Sequence, residues 1–389
     1  MQNFRFLNPT EIIFGKGNEN LAGEECKKYG KKVLLHYGGQ TIKTTGLYQK
    51  IIDSLQQSKV NFVELGGVEP NPKLSLVRKG IKLCISSDVD FILAVGGGSV
   101  IDSAKAIAAG VFYKDDVWDL FLGKEEPNDA LPIGVVLTIP ASGSEASWSS
   151  VITNEDGNYK RYLNSSLLYP KFSILNPELT YSLPNYQTAC GACDIMAHVM
   201  ERYFTLEPEV EFTDRLCEAA LQTVINNVTV ALKEPKNYGA RAQIMWTAAV
   251  AHNDFLGTGR IADFASHMIS HELSAINDVA HGAALSVIFP AWMKYVYKND
   301  VQRFVQFAVR VWDVKPYSND YEKTALEGID KTEKFFKDIG LPTRLKEIGI
   351  KKEMFNEIAE KCVKFDGDTV GNFVKVNPKD IVNILHLAE

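Results

Sequence analysis

The sequence has no long apolar run, few cysteines and no excess of positive charge. Its most apolar stretch, Phe91 to Phe112, is interrupted by Asp102 and Lys105, so no window of about 20 apolar residues offers a membrane span. Six cysteines among 389 residues do not make a disulfide scaffold. Cys190 and Cys193 form a lone CxxC that reads as packing at a helix start, since neither a second CxxC nor a preceding strand accompanies it. A net charge of -6 supplies no basic surface, which argues against nucleic acid as a partner. The first residues, MQNFRFLNPTEIIFGKG, lack a basic segment followed by an apolar one. The expectation is a cytoplasmic protein of two domains, with no membrane partner.

Histidine is also scarce, and its placement is informative. Of seven histidines, five fall within residues 198–281. Asp194 and His198 are four apart, so on a helix both side chains leave one face and can grip one ion from one side. His267 and His271 repeat that spacing, and His281 precedes Gly282, where the chain can bend. Any one of these taken alone fits a hydrogen-bonded core histidine equally well. Imidazoles with one carboxylate suit Fe2+ or Zn2+ rather than Ca2+ or Mg2+, which prefer oxygen shells.

The chain changes character near residue 185. Before it, Lys32–Tyr37, Asn61–Leu65, Phe91–Val95 and Ile133–Thr138 are short β-branched runs that end in turn residues and alternate with helical segments. That pattern predicts βαβ units and a parallel sheet covered on both faces. After Pro184, periodic stretches such as Glu211–Leu232 and Ala240–Phe255 read as helices. The expected division is an α/β nucleotide-binding domain over 1–185 and an all-helical domain over 186–389, joined around Thr180–Gln187.

The segment FILAVGGGSVIDSAKAIA runs an apolar strand into three glycines and a helix. Glycines admit close backbone approach, and free N–H groups at the helix start attract a pyrophosphate. Ser99 is expected to cap that helix, with Asp102 completing a capping box. A second loop, Thr138 to Glu145, brings hydroxyl donors to the same sheet edge. The spacing is not the GxGxxG fingerprint, and GGGS by itself is equally a tight strand-to-helix turn.

Taken in order, GGGSVIDSAK, TIPASGSE, DIMAHVMERY and HMISHELSAINDVAHGAALSV, with Pro-Asn-Pro at 70–72, resemble the iron-containing (group III) alcohol dehydrogenase family over nearly the whole chain. Within it, the sequence is similar to the branch of NAD(P)H-dependent butanol dehydrogenases and broad-range aldehyde reductases. The resemblance implies a Rossmann-like N-terminal domain, an all-α C-terminal domain in the dehydroquinate synthase-like arrangement, an active site in the cleft between them, and a homodimer. It implies Asp194, His198, His267 and His281 as ligands of one divalent metal, Fe2+ or Zn2+. His271 matches a residue near the nicotinamide that joins proton transfer. Gly97, Gly98 and Ser99 match the pyrophosphate loop, with Asp102 at its base. Thr138, Ser142, Lys160 and Leu179 match cofactor contacts, and Asn71 lies near the same cleft.

Three departures stand out. Asn176-Pro177 replaces a frequent Asp-Pro. Gly38, Gly39 and Gln40 occupy the turn where many members carry an acidic residue, and Lys43 follows. Without that carboxylate a 2′-phosphate is not repelled, so NADP(H) is favoured modestly over NAD(H). Ser147 and Trp148 stand where relatives carry asparagine, beside the expected cofactor and substrate pocket. The implied chemistry is reduction of a small aldehyde, or oxidation of a primary alcohol, by hydride exchange with nicotinamide at a metal with an open position. A polyol dehydrogenase of the same architecture is the main enzymatic alternative, and a metal-dependent binding protein the non-enzymatic one. A zincin protease is disfavoured, because HELSA has Ala275 where the second histidine would stand.

Overall fold

The structure is a computed structural model that describes residues 1–364 and 367–389. It divides into two compact units. Leu7–Leu183 with Pro235–Asn253 forms a sheet unit, and Met1–Phe6, Pro184–Glu234 and Asp254–Glu389 form a helical unit. The main boundary thus falls where composition changes, but two segments depart from the expected 1–185 and 186–389. The first six residues belong with the helices, and the helix Tyr238–Ala251 belongs with the sheet.

The sheet unit holds strands β1 (Glu11–Phe14), β2 (Lys32–Tyr37), β3 (Asn61–Leu65), β4 (Phe91–Gly97), β5 (Ile133–Ile139), β6 (Ser149–Asn154), β7 (Tyr159–Asn164) and β8 (Phe172–Leu175). Six of them form one sheet in the order β1-β8-β5-β4-β2-β3, every pair parallel, while β6 and β7 make a separate antiparallel hairpin. Phe91, Leu93 and Val95 of β4 join Val33 and Leu35 in one apolar core, and Ile92 and Ala94 join Leu34 and Val135 in another. Alternate residues therefore enter two cores, one on each face, which explains why these strands read as continuous apolar runs. The chain leaves β2 for β3 on one side and returns to β4 on the other, so the strand order reverses between β2 and β4. Ligands of open parallel sheets bind beyond the carboxyl ends of the strands at such a reversal. The turns that follow β2 and β4 are Gly38–Gln40 and the glycine run ending at Gly98.

Among its described residues the helical unit has helices and one isolated bridge, Val370 with Val376, but no strand. Its core is aromatic: Phe204 stacks on Phe304 at 4.5 Å and packs against Trp292, Phe307 and Phe373. Three helices matter most, Asn185–Tyr203, Ala265–Asn277 and His281–Val296. Gly282 does not mark a bend; it lies inside the last of these. A Cβ there would stand 2.1 Å from the Cys190 carbonyl oxygen, so glycine is what lets this helix press against Asn185–Tyr203. That contact brings His281 to Asp194. Cys190 and Cys193 stay unbonded, and Cys193 is fully buried, in keeping with packing. No described helix is long and apolar enough to cross a membrane.

Candidate metal centre and nucleotide site

Asp194 and His198 leave one face of helix Asn185–Tyr203, His267 lies in the first turn of Ala265–Asn277, and His281 is the first residue of its helix. The Nε2 atoms of His198, His267 and His281 stand 3.5, 3.9 and 3.6 Å from the same oxygen, Asp194 Oδ1. Ligand atoms of Asp194, His267 and His281 all lie within 4.8 Å of one another. For metal–ligand bonds of 2.0–2.2 Å, the edges of a tetrahedron are about 3.3–3.6 Å. The 3.5 and 3.6 Å spacings match such an edge and the 3.9 Å spacing to His267 exceeds it slightly; all three are longer than ordinary hydrogen bonds. Asp194 Oδ1 and His267 Nε2 are buried without a hydrogen bond, a costly arrangement unless something else takes their lone pairs. The donor set therefore fits a divalent transition metal.

Burial alone would lower the affinity of the His267 ring for a proton. The Asp194 and Glu201 carboxylates beside it more than compensate, and its pKa lies above the ordinary value. His271 is buried one turn beyond His267, with its ring centroid 5.3 Å from that of His281.

In the sheet unit, the structure corrects the expected capping box. Gly97 is the N-cap of helix Gly98–Gly110, Ser99 lies inside the helix, and no side chain caps its first turn. The first N–H groups of a helix capped in this way can take an anion. Asp102 turns instead to the second loop, accepting from the Ser144 hydroxyl at 2.6 Å and from Val151 N–H at 3.2 Å. The two loops meet where a Cβ on Gly98 would stand 2.3 Å from Ser142 Oγ, so a side chain there would displace the Ser142 hydroxyl. Thr138 is the penultimate residue of β5.

Sequence reasoning missed the group that fastens the second loop. Lys105 is fully buried and gives its ammonium to the carbonyl oxygens of Ser144, Ser147 and Ser149 at 2.8, 2.8 and 2.9 Å. Three such acceptors match the three protons of a charged lysine. Burial pushes Asp102 up to about 6 and Glu145 up to about 7 against the pull of that ammonium, and pushes Lys105 itself down to about 8. The signal was a lysine at i+3 from Asp102 in an otherwise apolar helix. Ser147, expected at the pocket, is buried with its hydroxyl 3.4 Å from Lys105 Nζ.

Lys160 on β7 donates to Asn71 Oδ1 at 3.0 Å, and Thr153 N–H of β6 donates to Pro72 O at 2.8 Å. The Pro-Asn-Pro turn is thus tied to the hairpin, with Asn71 in the left-handed region at φ 53°. Leu179 lies in the short helix Pro177–Thr180, whose Asn176 N-cap accepts from Glu178 N–H at 3.0 Å; asparagine serves there as aspartate would. After β2, a Cβ on Gly39 would meet nothing within 4 Å. The Lys43 ammonium lies over the rings of Tyr37 and Tyr48, at 5.6 and 5.1 Å from their centroids.

Comparison with known proteins covers nearly the whole chain. Residues 9–177 match the family model described as iron-containing alcohol dehydrogenase, and residues 188–388 match the model of the C-terminal part of the Fe-containing alcohol dehydrogenase family. The chain is 44% identical to the probable NADH-dependent butanol dehydrogenase 1 of Bacillus subtilis, over 99% of both chains. It is 39% identical to the NADPH-dependent aldehyde reductase YqhD of Escherichia coli, over 90% of both. Among solved structures, the NADH-dependent butanol dehydrogenase A of Thermotoga maritima superposes with a TM-score of 0.96 at 39% identity, covering 100% of this chain and 99% of that one.

Proposed function

The chain belongs to the iron-containing alcohol dehydrogenase family, and from that premise we propose that it interconverts short-chain aldehydes and primary alcohols, of butyraldehyde and butanol size, using NADP(H) or NAD(H) and one divalent ion. Membership makes it an oxidoreductase of the alcohol–aldehyde couple. The observation that carries the reading is the convergence of three imidazole nitrogens on one buried Asp194 oxygen.

Asp194, His198, His267 and His281 are the residues that would hold the ion, and the set accepts Fe2+ or Zn2+. When bound there, such an ion polarises a carbonyl oxygen as a Lewis acid. His271, buried beside His281, is assigned to proton exchange near the reacting atoms and not to the ligand set. In the sheet unit, Gly97, Gly98 and Ser99 offer backbone N–H groups to a pyrophosphate, with Asp102 and Lys105 holding the neighbouring loop in place. Thr138, Ser142, Lys160, Asn71 and Leu179 complete the dinucleotide site.

The turn Gly38–Gln40 carries no carboxylate and is open at Gly39, which supports NADP(H) as at least the equal of NAD(H). The relatives named above divide between the two cofactors. Six free cysteines suit the reducing cytoplasm, and the family likeness suits a homodimer.

The test is turnover on a panel of C2–C6 aldehydes, with glycerol as the polyol arm of the reverse reaction, after reconstitution with Fe2+ or Zn2+ and with each dinucleotide. Aldehyde reduction exceeding glycerol oxidation in kcat/KM supports the proposal. Bound metal and bound cofactor without turnover would favour a binding protein instead.

A further inference from the structure

Asp194, His198 and Glu201 fall at i, i+4 and i+7, so one stripe of helix Asn185–Tyr203 carries two expected ligands and a third acid. Glu201 is fully buried. Its Oε2 accepts Phe264 N–H at 2.7 Å, and its Oε1 accepts both the backbone N–H of His267 at 3.0 Å and the ring Nδ1 of His267 at 2.9 Å. The Glu201 carbonyl oxygen accepts Asp263 N–H at 2.8 Å. Helix Ala265–Asn277 needs such a partner, because its N-cap is Phe264, held at φ 66° and lacking a side-chain oxygen. One carboxylate therefore does what an N-cap residue ordinarily does, from another helix, and engages a ring of the candidate metal centre at the same time.

We propose that Glu201 is the positioning residue of the metal centre: by accepting the Nδ1 proton of His267 it fixes the tautomer whose Nε2 lone pair faces Asp194, and so joins the two ligand-bearing helices in one geometry. The inference rests on the reading that Asp194 and His267 hold an ion. An ionised carboxylate can only accept, so in the neutral ring that a metal requires the Nδ1–H···Oε1 bond keeps the proton on Nδ1 and leaves Nε2 bare. A histidine held in this way is a better and better-aimed ligand, and losing such a partner costs about 10–100-fold in metal affinity. Glutamine keeps an acceptor for Nδ1 but cannot accept from Phe264 and His267 together without turning its amide N–H groups toward one of them.

The test is Zn2+ affinity by chelator competition for the unmodified protein, Glu201→Gln and His267→Ala, with 15N spectra of histidine-labelled, Zn2+-loaded unmodified protein. The expected results are a Kd weakened about 10–100-fold in Glu201→Gln, dinucleotide affinity unchanged, and His267 protonated at Nδ1. A role in capping alone would lower the melting temperature of Glu201→Gln and leave its Zn2+ Kd at the unmodified value, which overturns the proposal. The spectra remain decisive if the variant does not fold: a proton on Nε2 of His267 overturns it without any substitution. If the unmodified protein and His267→Ala bind Zn2+ equally, the metal-centre reading itself fails; if only Glu201→Gln matches the unmodified protein, that reading stands and this inference alone is lost.

Discussion

Two buried clusters, one in each unit, handle charge in opposite ways. The sheet unit carries its own cation: Lys105 sits among Asp102, Glu145 and three carbonyl oxygens. The helical unit gathers Asp194 and three imidazoles, and among the described residues no lysine or arginine pairs with that carboxylate. A buried carboxylate ringed by lone-pair donors is stable when a cation from outside completes it, whereas one beside a buried ammonium is already complete. The first cluster is a fastening; the second is, on the proposed reading, a receptor.

The largest effect expected from breaking this contrast is at His267. Substitution with Ala should remove the metal and abolish turnover while leaving dinucleotide binding in place, as read by metal analysis and cofactor fluorescence. A variant with stoichiometric metal and full turnover would remove His267 from the ligand set. His271→Ala should instead keep near-normal metal and lower kcat about 10^2–10^4-fold, the range of a lost proton-transfer group. Loss of metal in that variant would show that His271 belongs to the receptor.

Lys105→Met probes the fastening. It leaves two buried carboxylates and three carbonyl oxygens without their cation, a loss of about 3–5 kcal/mol. Thermal denaturation should show a fall of roughly 6–20 °C, with weaker dinucleotide binding and unaltered metal affinity in the folded fraction. An unchanged melting temperature would mean that the buried ammonium is not holding the loop.

How far these clusters were legible in the sequence depends on whether their signals are local. Strands β2, β4 and β5 stand out because both faces are buried and each run ends in a turn, while the half-exposed edge strand β3 stands out by its apolar residues and following glycines. Strands β1 and β8, four residues each, are too short to show a period. The hairpin of β6 and β7 mixes polar and apolar residues, and only Asp156-Gly157 between them signals a turn. Periodicity revealed the helix at 238–251 but not which core it packs on, since amphipathicity names a face and not a partner. Five candidate ligands were visible because spacing and residue type are local, and the family resemblance reduced them to four. Lys105 and Glu201 were missed because their partners lie 39 to 66 residues away in the chain.

The smallest expected effect sharpens the nucleotide side. Gly39→Asp has room for its side chain and places a carboxylate where a 2′-phosphate is expected. One like-charge contact there costs on the order of 1–3 kcal/mol, a shift of roughly 5–150-fold in kcat/KM from NADPH toward NADH. In the unmodified enzyme NADPH should perform at least as well as NADH, and a tenfold preference for NADH would overturn the reading of that turn.

The most direct test of the receptor is anomalous diffraction at the iron and zinc edges from crystals of the reconstituted protein. A single peak is predicted about 2.0–2.2 Å from an Asp194 oxygen and from Nε2 of His198, His267 and His281, with His271 outside the shell. A peak away from Asp194, or a shell in which His271 replaces one of the four, would contradict the account.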